Sequence, residues 1–148
     1  MRRASRALLI VVSVTTTLAA QSHLDNLSLD PTLGCKRNPA VVAACFTAHG
    51  RLFVANGTPG LRMWHVGTKR HFGVVPAEAP LVPDNVSRHL GPNKSIYGDF
   101  VVCPVTRERS GSMLMVCIQE AANLVIEEHD SSGKPVRVAT DRSRGEVQ

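Results

Sequence analysis

The chain has 148 residues with 17 basic and 12 acidic side chains, a formal net charge of +5, and only 4% aromatic residues. That length fits one domain. The sparse aromatics and short basic pairs disfavour a dedicated nucleic-acid surface, which needs a clustered cationic stripe with stacking rings.

Arg2, Arg3 and Arg6, the apolar centre 7–14 (ALLIVVSV) and the small or polar stretch 15–22 (TTTLAAQS) have the order of a secretory signal peptide. Cleavage is expected after Ala19 or Ala20, or after Ser22. Without its three arginines, 14 basic residues face 12 acidic ones, leaving +2. The apolar run is shorter than the ~20 residues that span a bilayer. A secreted or periplasmic location without a stable membrane span is therefore expected. Residues 23–43 form an irregular arm broken by Asp30-Pro31 and Asn38-Pro39.

A single β domain is expected over 44–128. Residues 44–55 (ACFTAHGRLFVA) alternate Phe46, Ala48, Gly50, Leu52 and Val54 against Thr47, His49 and Arg51. Such alternation marks a half-buried strand, and its central glycine marks a bend or bulge. Asn56-Gly57-Thr58-Pro59-Gly60 is a turn signal. Strands at 61–66 (LRMWHV) and 71–76 (HFGVVP) follow, joined by the turn Gly67-Thr68-Lys69-Arg70. A helical stretch of one or two turns fits 83–91, capped by Asp84 or Asn85 and closed by Gly91. Two more strands are expected at 95–105 and 113–119, with a short one at 124–128. The polar, charged segment 129–148 reads as a disordered tail. Three strands, a helix and further strands, with the first strand bent, point to an all-β, OB-like Greek-key barrel of five to six strands with one short helix. A β-sandwich is the alternative.

Cys35, Cys45, Cys103 and Cys117 all follow the leader. An even count in a small exported chain favours disulfides, with three possible pairings. Strands 100–105 and 113–119 bring Cys103 opposite Cys117, at a separation a disulfide accepts. Cys103–Cys117 is therefore the expected cross-strand bridge, with Cys35–Cys45 as its companion.

From Cys45 to Asn123, a little over half the chain, the sequence resembles an uncharacterised group of small secreted bacterial proteins. The likeness lies in CFTAHGRL (45–52), NGTP (56–59), RMW (62–64), GTKR (67–70), YGDF (97–100) and VCI (116–118). It implies export and a compact domain, and it transfers no catalytic residue. Cys35 and the tail lie outside it.

No catalytic motif, metal-ligand spacing or cofactor signature stands out. Arg62, Trp64, Lys69 and Arg70 are the candidate ligand-binding residues. Trp64 is expected in the core as the main aromatic; turned outward beside a cation it could stack on a ring. A non-enzymatic, exported binding or interaction module is the leading expectation, with envelope polysaccharide, peptide or protein as partner. One alternative is an envelope hydrolase or metal-dependent enzyme using Asp99 with His65 or His71. Another is an inhibitor-like or structural partner of an envelope enzyme. N-x-[ST] triplets occur at Asn26, Asn56 and Asn85.

Overall fold

Apolar and polar side chains alternate along 46–54 and 61–65, which form strands half-buried on one face, whereas 71–74 and 116–119 are nearly continuously buried. A computed structural model describes residues 29–76 and 81–147; the expected signal segment lies outside them. The strands are β1 (Phe46–Val54), β2 (Leu61–His65), β3 (His71–Val74), β4 (Lys94–Pro104), β5 (Leu114–His129), β6 (Pro135–Asp141) and β7 (Gly145–Glu146), with one helix, α1 (Asp84–Ser87), between β3 and β4.

Pairing runs β3-β2-β1-β4-β5-β6, and β3 also pairs in parallel with β5. That last contact returns the path to its start, so β1, β2, β3, β5 and β4 enclose one core. This is the OB-like Greek-key barrel, with its short helix between the third and fourth barrel strands. Ala48, Leu52, Met63, Phe72, Phe100, Val116, Ile118 and Leu124 fill the interior. Phe72 and Phe100 are its large aromatics, with Phe46 meeting Phe72 edge-on at 5.9 Å.

The β1 registers run unbroken through Gly50, so the bulge expected there is not formed, and the glycine serves close packing instead. Gly50 faces Gly98 in the β1–β4 ladder. A Cβ on Gly98 would come within 2.9 Å of the Ala122 carbonyl oxygen, and one on Gly50 would meet the Met63 side chain. The two glycines let Met63 and Leu124 lie against the backbone. Beside them the β4–β5 register shifts between Tyr97 and Asp99, and again between Val101 and Val102. Such irregularities bend a strand and increase its twist, which allows the 16-residue β5 to serve β3, β7 and β6 in turn along one edge.

The cysteine pairing differs from expectation. Cys103 and Cys117 are direct ladder partners, yet the bonds are Cys35–Cys117 and Cys45–Cys103. Cys103 has a lateral neighbour on each side: Cys117 on β5, and Cys45 just ahead of β1, whose Phe46 faces Val102. The arm, with a 3-10 turn at Cys35–Arg37, brings Cys35 to Cys117. There Leu29, Cys35, Val75, Cys103, Val105 and Cys117 form a second, smaller core.

The tail also departs from expectation. Residues 129–148 were expected to be disordered, but 135–141 pair with β5 as β6, and Gly145–Glu146 pair with it as β7. The turn between β5 and β6 is built on Asp130. Its Oδ1 accepts from the Ser132 and Lys134 amides at 2.8 and 3.0 Å, and Gly133 adopts φ 82°. Two buried amides hold the tail down. Asn85 Nδ2 donates to the carbonyls of Ala121 and Ser143. Gln119 Nε2 donates to Glu146 Oε1 and the Val147 carbonyl. Asn85 is only 1% exposed, so this N-x-[ST] triplet is sequestered in the folded chain.

Candidate functional site

Outward-facing residues of a barrel strand alternate with the core residues, so the β1 core positions Ala48 and Leu52 fix His49, Arg51 and Phe53 outside. On β2, Leu61 and Met63 are buried, which turns Arg62 and Trp64 outward. Trp64 is therefore not the core aromatic that its rarity led one to expect. It is half-buried on the outer face, its Nε1 donating to the Thr68 carbonyl at 2.7 Å.

The strand registers assemble these residues into a row. Arg51 faces Trp64 on β2 and Tyr97 on β4, and Trp64 in turn faces His71 on β3. The Arg51 guanidinium lies 5.4 Å from the Phe53 ring centroid and 5.9 Å from that of Tyr97. Both are within the ~6 Å reach of a cation–π contact. Arg51 Nε also donates to Ser95 Oγ at 3.0 Å. His71 meets Phe53 edge-on at 6.4 Å. The outcome is a fixed guanidinium between aromatic rings on a solvent-facing sheet.

The four sequence-predicted binding residues have separate roles. Arg62 and Trp64 lie on this face. Arg62 also organises the loop after β1, donating from Nε to the Pro59 carbonyl and from Nη2 to the Asn56 carbonyl, both at 3.2 Å. Arg70 pairs with Glu108, tying the β2–β3 turn to the β4–β5 loop, and Lys69 is exposed in that turn. Sequence reasoning missed Arg51, Phe53 and Tyr97. The alternation in 46–54 carried a signal for the first two; Tyr97 becomes their neighbour only through the β1–β4 register.

One row further along, Asp99 Oδ1 is 2.9 Å from His49 Nδ1, and Asn123 Nδ2 donates to Asp99 Oδ2 at 2.8 Å. The proposed grouping of Asp99 with His65 or His71 is not assembled. His65 tilts against Phe72 at 5.8 Å and His71 turns to Phe53. Among the described residues no three His, Cys, Asp or Glu side chains group as metal ligands.

The Asn123 hydrogen bond, and after it the His49 hydrogen bond, hold the Asp99 carboxyl below the usual carboxylate range. A carboxyl with a lowered folded-state pKa contributes stability above its unfolded value and loses it as pH falls through the folded value. The contribution is modest because the pair is exposed, at 58% and 42% of the two side chains. Asn123→Ala should move the Asp99 titration midpoint upward in a carboxyl-carbon NMR titration. A midpoint that stays in place would show that His49 alone sets it.

An open depression of about 470 Å³ lies between the arm and the end of the chain, lined by Gly34, Lys36, Arg37, Gln119, Glu146 and Val147. Its polar groups bond to one another: Gln119 Oε1 accepts from the Lys36 amide, and Lys36 Nζ reaches Glu120. The outer face of β1, β2 and β4 is thus the better candidate.

No protein-family model, curated protein or solved structure matches this chain. The functional reading rests on geometry and chemistry. Among the described residues no helix is long and apolar enough to cross a membrane.

Proposed function

We propose that this protein is an exported, non-enzymatic binding module that recognises its partner through the outer face of β1, β2 and β4. One observation carries the reading. Of six aromatic residues, Phe53, Trp64 and Tyr97 stand outside the barrel around Arg51. In a chain this poor in aromatics, burial would be the default use of such rings. Exposed aromatic and arginine side chains are the types most enriched where binding energy concentrates.

Export is the second half of the proposal. The N-terminal signal pattern supports it. Two disulfides, Cys35–Cys117 and Cys45–Cys103, are compatible with an oxidising compartment.

The test is a titration of the purified protein with glycans, peptides and oligonucleotides, read by Trp64 fluorescence and amide NMR shifts. Trp64→Ala and Arg51→Ala should each weaken the ligand that binds by about 10- to 100-fold, or about 1.4–2.8 kcal/mol. If both variants fold and bind as the parent does, the face is wrongly assigned. A partner protein from an envelope extract that binds through these same residues would favour the role of inhibitor-like or structural partner.

A further inference from the structure

We infer that the outer face accepts an acidic oligosaccharide, with sugar rings laid on Trp64 and Tyr97 and a carboxylate held by Arg51. This inference rests on the reading above and names the ligand class of that same face.

The first argument is spacing. Trp64 and Tyr97 lie on β2 and β4, with β1 and Arg51 between them. Two strand spacings of ~4.8 Å separate their backbones by ~10 Å. A single small anion cannot touch both rings; a short chain of flat rings can. The C–H face of a pyranose is apolar and lies on an aromatic ring, while its rim carries hydroxyls for polar side chains. His71, exposed beside Trp64 in the same row, is placed to meet such a rim.

The second argument is the state of the cation. Among the described residues the Arg51 side chain hydrogen-bonds only through Nε, to Ser95 Oγ. Its two Nη groups remain for a ligand. Contacts with Phe53 and Tyr97 hold the guanidinium in place before binding, which lowers the ordering cost of capture. A planar guanidinium matches a carboxylate in a two-point hydrogen bond.

The third argument is charge density. Arg62 already donates to two loop carbonyls. Asp99 lies two residues from Tyr97 on β4, and Glu127 faces Ser95 across the β4–β5 ladder. Two arginines beside two carboxylates leave this patch formally near neutral. A nucleic acid presents a phosphate at every nucleotide and draws its affinity from many cations. A sugar chain draws affinity from ring stacking as well as from charge, so one available guanidinium holding a single carboxylate fits it.

The experiment uses the full mature chain and four probes: hexagalacturonate, its methyl ester, a neutral cello-oligosaccharide and oligo-dT. Binding is measured by calorimetry and by NMR shifts of Trp64 Nε1–H and the Tyr97 amide. Hexagalacturonate should bind and shift both signals. Esterification, Arg51→Lys and Trp64→Ala should each weaken it about tenfold or more. Trp64→Phe should retain much of the binding, which separates loss of a ring from loss of the fold. If the methyl ester or the neutral sugar binds as well as the acid, or oligo-dT binds better, the inference is overturned while the face survives as a binding surface. If hexagalacturonate shifts neither signal, or does not bind, the inference is also overturned. Should the bound probes instead shift residues elsewhere on the barrel, the binding face itself falls.

Discussion

Removing residues 131–148 is expected to destabilise the domain by about 3–6 kcal/mol, a large part of the ~5–15 kcal/mol typical of a whole domain. A charged, polar tail of this kind would ordinarily be dispensable. Here it covers the edge of β5 from Leu124 onward. It also supplies the Ser143 carbonyl to Asn85 and the Val147 carbonyl and Glu146 carboxylate to Gln119. Asn85 and Gln119 are 1% and 2% exposed. Asn85 keeps the Ala121 carbonyl and loses that of Ser143, while Gln119 Nε2 loses both of its acceptors. A buried amide left without a partner costs about 1–3 kcal/mol, and loss of the β5–β6 ladder adds to that. Urea unfolding of the truncated chain should show a lower midpoint. An unchanged midpoint would mean that the tail packs without stabilising the barrel. Gln119→Ala and Asn85→Ala in the full chain should reproduce part of the loss.

The second large effect concerns the disulfides. The Cys45–Cys103 loop of 58 residues is nested inside the Cys35–Cys117 loop of 82. With the inner bond intact, the outer one closes only the difference, 24 residues. In the chain-entropy model, removing either bond from the doubly linked chain costs about 3 kcal/mol, and removing both costs about 8 kcal/mol. Paired serine variants, Cys35→Ser with Cys117→Ser and Cys45→Ser with Cys103→Ser, should each lower the unfolding midpoint by a similar amount. Non-reducing peptide mapping should recover Cys35 linked to Cys117. A peptide joining Cys103 to Cys117 would contradict the arrangement and return the bridge to the hairpin.

Much of the barrel was legible before any fold was known. The alternation in 44–55 predicted β1, the turns at 56–60 and 67–70 separated β2 and β3, and the helical stretch expected within 83–91 holds α1, although Pro83 rather than Asp84 or Asn85 is its N-cap and it ends at Ser87, short of Gly91. The register of Cys103 against Cys117 also followed from a hairpin loop of ordinary length. The tail was misread because its charge masked a turn signal. Asp130-Ser131-Ser132-Gly133 is turn chemistry, and the following 135–141 (PVRVATD) can form a strand. Pairing with β5 settles that choice; composition does not.

The sequence by itself split β5 (Leu114–His129) in two and missed β6 and β7, but it determined the strands and turns from 44 to 119 and left four thiols that could all pair. Those properties come from short-range periodicity and turn stereochemistry, which act over a few residues. Tertiary structure decided which neighbour each cysteine bonds, whether the tail joins the sheet, and which way Trp64 points. In 61–66 both alternating sets contain a large apolar residue, Met63 in one and Trp64 in the other, so periodicity cannot say which set is buried. Packing against Gly50 resolves it, because the space left by that missing side chain takes Met63 and turns Trp64 out toward Arg51 and, beyond it, Tyr97.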